Sequence, residues 1–249
     1  MEWGLRGAEA VTQGAAVAVV IDVLSFTTTL TVAVDAGAEV YPFPSNDASA
    51  REFARLHDAA LAIGRIEARE TGGRGPAVSL SPASLRAGTA PARIVLPSPN
   101  GSAVAHTLAS GTAIVVGAAL RNRAAVAGWI AERLAGDAAT HAQPPIAVIA
   151  AGERWPDGSL RPAIEDFWGA GAVIAALSEL GLGDQSPEAW AAEAAFRGVE
   201  ESLSAELADC SSGRELVLAG FADDIATAAE LDSTECVPVM IDQRFVNAR

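Results

Sequence analysis

The stretch VAVVIDVLSFTTTLTVAV, residues 17–34, decides the fold. Its first half is a short, continuous apolar run rich in valine, which predicts a buried strand over residues 15–24. A single carboxylate, Asp22, lies near the end of this strand. Three of the hydroxyl groups that follow within a few residues belong to Ser25, Thr27 and Thr28. Residues 26–36 predict a helix, so the polar groups lie where a strand passes into a helix.

Strand and helix patterns alternate on both sides of this stretch. Further strands are predicted over residues 39–44, 60–64, 93–99, 112–117, 145–152 and 237–242. Further helices are predicted after an N-cap at Ser45 or Asn46 and over 102–110, 123–135, 163–180, 187–209 and 213–231. This alternation predicts an α/β fold, a layered sheet of mostly parallel strands with helices on both faces. No internal repeat or linker interrupts it, so we expect a single domain over residues 1–249.

The carboxyl ends of the strands are where ligands collect in such sheets. Four segments are predicted to meet there: Asp22 with its hydroxyls, a long loop over 64–91, Asn100-Gly101-Ser102, and the loop 152–166.

The composition narrows the function classes. The 249 residues carry a net charge of −14, and all 17 basic residues are arginine. Nucleic acid is therefore an improbable partner, because its phosphates need a basic face. No apolar stretch reaches about 18 residues without a charge, so no membrane span is expected. Cys210 and Cys236 have no metal-ligand spacing and are read as free thiols, which favours a cytoplasmic protein.

Carboxylates provide the first candidate site. Asp22 at a strand end could hold a magnesium ion, Mg2+, or attack phosphorus, and the alternative is a plain helix cap. Glu165 and Asp166 lie in the first turn of a predicted helix and could complete an Mg2+ site with Asp22. Their alternative role is to stabilise the helix dipole. Two glycines within the same helix, Gly169 and Gly171, predict close packing against a neighbour or ligand.

A phosphate bound at this place would need hydrogen-bond donors for its oxygens. In LPSPNGS, residues 96–102, Asn100, Gly101 and Ser102 open a helix after a strand, which is typical of an anion nest or of a simple tight turn. Ser102 and His106 lack the surroundings of a nucleophile and base. Arginine suits anion binding, although most members of the following set are expected to be solvated surface charges: Arg65, Arg69, Arg74, Arg121, Arg123, Arg154 and Arg161.

Three motifs occur in the chain: D-V-L-x-x-T-T-T (Asp22 to Thr29), P-N-G-S (Pro99 to Ser102) and A-G... E-D-F-x-G-A-G-A (Ala151 to Ala172). Together they resemble the 2-phosphosulfolactate phosphatase (ComB-like) family. Weaker agreement comes from Asn122 and from G-F-A-D-D-I, which begins at Gly220. The matches occur in order over most of the chain.

The resemblance implies an Mg2+-dependent phosphatase that converts 2-phosphosulfolactate to 3-sulfolactate and phosphate, on the route to coenzyme M. Asp22, Glu165 and Asp166 would hold Mg2+, with Asp22 as an alternative nucleophile. The residues that would bind the substrate are Ser25, Thr27, Thr28, Asn100, Gly101, Ser102, Asn122, Arg154 and Arg161.

The chain departs from the family pattern at Ser25, where the family usually has an arginine. Arg65 or Arg74 could compensate from the 64–91 loop. The departure leaves two alternatives, a phosphatase with another organophosphate substrate and a diverged, non-catalytic binder of small anions. A nucleotide-dependent oxidoreductase is disfavoured, because no glycine-rich phosphate loop follows the first strand. The apolar stripe with Trp129 is either core or the interface of a homodimer.

Overall fold

The computed structural model describes residues 1–70, 78–111, 113–136 and 144–249. In this part of the chain the helices are α1 (Gly4–Val11), α2 (Phe26–Asp35), α3 (Ala48–Leu56), α4 (Arg65–Glu70), α5 (Pro82–Ala87), α6 (Gly101–Leu108), α7 (Arg123–Gly136), α8 (Ile164–Glu179), α9 (Pro187–Val199), α10 (Leu203–Asp209), α11 (Ser211–Leu218) and α12 (Ala222–Ala228). The strands are β1 (Glu2–Trp3), β2 (Val17–Ile21), β3 (Glu39–Phe43), β4 (Ala60–Ile63), β5 (Val78–Ser79), β6 (Arg93–Pro97), β7 (Ile114–Ala118), β8 (Ile146–Ala150), β9 (Glu153–Arg154), β10 (Leu160–Arg161), β11 (Pro238–Ile241) and β12 (Arg244–Asn247).

The predicted α/β fold is confirmed. Among the described residues, ten strands form one sheet in the order β1-β8-β2-β7-β11-β12-β3-β6-β4-β5, and β9 and β10 form a separate hairpin. Pairing is parallel from β1 to β7 and from β3 to β5. The hairpin of β11 and β12 joins these two halves through antiparallel pairs.

The two parallel halves run in opposite directions, because three successive antiparallel pairs separate β7 from β3. The strands of the two halves therefore do not all end at one edge of the sheet. The four segments predicted to meet are nevertheless in contact: Arg65 donates to Ser25, Gly101 donates to Asp22, and Asp166 accepts the N–H of Val23. We attribute the approach of Gly101 to Asp22 to sheet twist, which amounts to roughly 20–25° per strand and accumulates over the five steps from β2 to β6.

Helices cover both faces of the sheet, as predicted. Side chains alternate along β2, so Val17, Val19 and Ile21 join one apolar cluster. Ala18 and Val20 join the cluster on the opposite face. Trp129 packs against the first cluster. Gly169 and Gly171 confirm the predicted close packing: a Cβ on Gly169 would overlap Ile21 and Val23, and one on Gly171 would overlap the carbonyl of Ala192.

Several predicted elements are wrong in detail. The interval 64–91 is not a long loop, since its described part contains α4, β5 and α5, while 71–77 lies outside the described residues. Asp47, not Ser45 or Asn46, caps α3 by accepting the N–H groups of Ser49 and Ala50. The helix predicted over 187–209 is interrupted by a 3-10 turn at Glu200–Ser202.

Other elements fell outside the prediction. β1 and α1 precede the first predicted strand, and β12 follows the last one. Both cysteines are free and buried. None of the described helices combines the length and apolarity that a membrane span requires.

Candidate active site

Asp22 directly follows β2 and is almost completely buried. One carboxylate oxygen, Oδ1, accepts the backbone N–H of Phe26 at 3.0 Å, and Oδ2 accepts that of Gly101 at 2.8 Å. Burial raises the pKa of this carboxyl, and Glu165 adds to the rise, whereas the two N–H groups and Arg65 lower it. The carboxylate thus links the starts of α2 and α6.

Asp166 connects the ends of β2 and β8. Its Oδ1 accepts the N–H of Val23 at 2.7 Å, and its Oδ2 accepts the N–H of Gly152 at 2.8 Å. Burial, followed by the charges of Asp22 and Glu165, raises the pKa of Asp166 well above its usual range. The structure therefore brings the three predicted carboxyl groups close enough for their charges to influence one another.

Glu165 is 2% exposed and lies in the first turn of α8. Its charge acts on both aspartates and on the buried thiol of Cys210. Burial, and then Glu165, raises the pKa of that thiol to about 12. Cys210 is therefore a neutral neighbour of the carboxylates.

A fourth carboxylate, Glu153, was missed by the sequence analysis. It accepts a hydrogen bond from Nδ2 of Asn100 at 2.7 Å. Burial and then the charge of Asp22 raise its pKa to about 7, against the opposing effect of that hydrogen bond. It lies three residues after β8, inside the predicted loop 152–166, and this place near a strand end is the sequence signal that could have identified it.

Three hydroxyls predicted to bind substrate are used by the protein's own backbone. Thr27 Oγ1 accepts the N–H of Asp22 and donates to its carbonyl, and Thr28 Oγ1 donates to the carbonyl of Val23. Ser102 Oγ donates to the carbonyl of Leu96. All three side chains are fully buried. These bonds hold the connections between strands and helices that support Asp22.

Asn122 and Arg154 also have local partners. Asn122 accepts the N–H of Ala119 and donates to the carbonyl of Cys236. Arg154 is exposed and donates to the carbonyl of Pro99. Its bonds fix the turn before α6.

Arg161 pairs with Glu215 at 3.1 Å, and its charge lowers the pKa of Glu153. Arg65 donates to Ser25 Oγ and to Asp224. Arg74, the other arginine named as a replacement for the family's cation, lies outside the described residues.

Carboxylate oxygens are suitable ligands for a hard cation such as Mg2+. Among the residues that the structure describes, no three His, Cys, Asp or Glu side chains are grouped closely enough to form a metal site by themselves. Mg2+ is usually held by one or two carboxylates, with water and substrate phosphate oxygens completing its octahedron. Asp22 and Glu165 are buried carboxylates of the chemical kind that this open mode uses.

Comparisons with known proteins identify the family of this chain. The family model described as 2-phosphosulpholactate phosphatase matches residues 7–243. A probable 2-phosphosulfolactate phosphatase from Microcystis aeruginosa (strain NIES-843 / IAM M-2473) is 28% identical over 229 residues, which cover 89% of this chain and 88% of the relative. The matched region contains all four carboxylates.

Proposed function

Because the chain belongs to the 2-phosphosulpholactate phosphatase family, we propose that it is an Mg2+-dependent phosphatase of small anionic phosphate monoesters. The preferred substrate is 2-phosphosulfolactate, and the products are 3-sulfolactate and phosphate. The observation that carries this proposal is the group of carboxylates at Asp22, Glu165, Asp166 and Glu153.

Charge explains why such a group needs a cation. Burial first, and then the charges of neighbouring carboxylates, raise the pKa values of Asp22, Glu153 and Asp166. A phosphate dianion would be repelled by the same charges. A divalent cation reverses the local field and makes the same place attractive to phosphate. We assign Asp22 and Glu165 as its ligands, and Asp166 as the residue that holds the ends of β2 and β8 together. When bound, Mg2+ would polarise the phosphoryl group and offset its developing charge.

The chain's own residues have separate tasks in this proposal. Gly101 N–H fixes the carboxylate of Asp22 in one orientation. The Asn100 side chain holds Glu153, which with a pKa of about 7 can keep a proton near neutral pH. We assign to Glu153 the transfer of that proton to the leaving oxygen, a task that requires a pKa near the working pH.

The test is phosphate release from 2-phosphosulfolactate and from a panel of small phosphate monoesters, first with Mg2+ and then with a chelator. Asp22→Asn should lower release by on the order of 100-fold or more, because a preorganised charge at the reacting centre is lost. Asp47→Asn is the matched control, since Asp47 also accepts two backbone N–H groups but lies at the exposed start of α3. Chelator should stop release, and added Mg2+ should restore it.

A folded wild-type protein that releases no phosphate from any ester, yet is stabilised by anions, would identify the non-catalytic binder instead. That stabilisation would follow RT ln(1 + [L]/Kd). Phosphate release that continues in the presence of chelator would contradict the proposed dependence on Mg2+. The cytoplasmic location and the route to coenzyme M stay predictions.

A further inference from the structure

Arg65 is held beside the carboxylates by two directed hydrogen bonds. Its Nε donates to Asp224 Oδ2 at 2.5 Å, and its Nη2 donates to Ser25 Oγ at 2.5 Å. Ser25 precedes α2 and lies three residues after Asp22. The charge of Arg65 lowers the pKa of Asp22, so the guanidinium is close enough to act on the site.

Asp224, the residue that anchors Arg65, is itself rigidly fixed. Its side chain is 1% exposed in α12, and it accepts hydrogen bonds from Ser81 Oγ at 2.5 Å and from the N–H of Ala83 at 3.2 Å. Three segments that are distant in sequence therefore meet at one carboxylate. Burying an ion pair carries a desolvation penalty that its attraction often only balances, so stability alone is a weak reason for this pair.

The orientation of Arg65 leaves part of the guanidinium available. Within the described part of the chain, Nη1 has no hydrogen-bond acceptor, while Nε and Nη2 are engaged. Arg65 also lines a cavity of about 660 Å3, together with Ser79, Ser81 and Asp224. A fixed guanidinium with free N–H groups suits the oxygens of a tetrahedral oxyanion.

We propose that Arg65 binds a phosphoryl or sulfonate group of the substrate, and that Asp224 is the positioning residue that holds its guanidinium against Ser25. This inference rests on the proposed function, since it names the cation that recognises that substrate. Arg65 would supply positive charge beside Ser25. The opposing interpretation is that the pair of Arg65 and Asp224 only fastens α4 to α12.

Binding of inorganic phosphate and of 3-sulfolactate, each measured by calorimetry on the full chain, separates these interpretations. Arg65→Gln should weaken at least one of the two by roughly tenfold to a hundredfold, the range for a hydrogen bond to a charged group. Weaker phosphate binding identifies the phosphoryl group as the partner, and weaker 3-sulfolactate binding alone identifies the sulfonate. Arg86→Gln is the control, since Arg86 forms an exposed ion pair with Glu230.

Asp224→Asn tests positioning through a double-mutant cycle. On its own, Asp224→Asn should weaken binding of the same anion that Arg65→Gln affects. It should also raise KM more than it lowers kcat. In the Arg65→Gln background it should change anion binding by less than about twofold, because a residue that acts through Arg65 has nothing left to position. Equal effects in both backgrounds would show a purely structural role for Asp224. Asp232→Asn is the matched control, because Asp232 pairs with Arg123 elsewhere in the structure.

Arg65→Lys covers the case in which Arg65→Gln does not fold, since it keeps the charge and loses the two-pronged geometry. Binding of both anions at wild-type strength by a folded Arg65 variant would overturn the inference. The anion-binding measurements need no turnover, so the two proposals can fail separately. A wild-type protein without phosphatase activity whose anion binding still depends on Arg65 would contradict the proposed function only.

Discussion

Gly101→Ala is the substitution whose effect can be worked out most directly from the structure. A Cβ on Gly101 would lie 2.6 Å from Oδ2 of Asp22 and 2.5 Å from Cδ1 of Phe26. Both separations are shorter than van der Waals contact, and Phe26 and Asp22 are buried. The start of α6 must therefore move away from Asp22, and the hydrogen bond from Gly101 N–H, now 2.8 Å long, is lost or lengthened.

The magnitude combines three terms. Overpacking a core costs about 1–3 kcal/mol, and losing a hydrogen bond to a charged acceptor costs about 1.5–3 kcal/mol. Alanine recovers about 1 kcal/mol through its better helix propensity. We expect the free energy of unfolding to fall by roughly 1.5–5 kcal/mol. Phosphate release should fall by about 100-fold, the effect of displacing a catalytic group by roughly 1 Å.

Urea denaturation followed by circular dichroism gives the stability, and phosphate release at saturating substrate gives kcat. Gly198→Ala is the matched control, because Gly198 lies exposed in α9 with no atom near its missing Cβ. That variant should gain up to about 1 kcal/mol and keep its activity. If Gly101→Ala unfolds within about 0.5 kcal/mol of wild type and turns over normally, the close approach of α6 to Asp22 is not needed, and the reasoning is refuted.

Two further predictions concern neighbouring groups. Thr27→Val should lower the free energy of unfolding by about 1–3 kcal/mol and leave KM unchanged. The reason is that Thr27 Oγ1 hydrogen-bonds to the backbone of Asp22. A large rise in KM at normal stability would instead identify Thr27 as a substrate ligand. Glu153 has a folded-state pKa of about 7 against an ordinary value of 4.5, so its stabilising contribution is complete below the lower value and is lost as pH rises through the higher one. Urea midpoints from about pH 5 to 8 should therefore decline less in Glu153→Gln than in wild type, and parallel profiles would contradict the shift.

The parts of the fold that could be predicted are those with a strong local pattern. The apolar run of β2 predicts a buried strand whichever face it presents, and the alternation of strands and helices predicts the layers. The interval 64–91 was misread because α4 and α5 have only six residues each, too few to show a helical period. The two halves of the sheet run in opposite directions because the β11 and β12 hairpin lies between them. Nothing in the sequence of this hairpin indicates that it pairs with β7 and β3.

In the candidate site, too, the features with a local sequence pattern were predictable and the long-range contacts were not. Asp22, Glu165 and Asp166 were predicted as neighbours because each lies where a strand or helix begins or ends. The contact between Arg65 and Asp224 spans 159 residues, and no local pattern encodes a contact of that range. Thr27 and Thr28 were correctly placed next to Asp22, but the sequence could not show that their hydroxyls face the backbone.

Asp22 and Asp166 share a hydrogen-bonding pattern that limits which residues can replace them. In each, both carboxylate oxygens accept a backbone N–H, and the four donors come from the ends of β2 and β8 and the starts of α2 and α6. An asparagine offers one acceptor and one donor, so its NH2 group would face an N–H, and that buried donor would be left unpaired. Substitution of either aspartate therefore removes charge and opens a strand-to-helix connection at once. This is why loss of activity in Asp22→Asn must be read beside its measured stability.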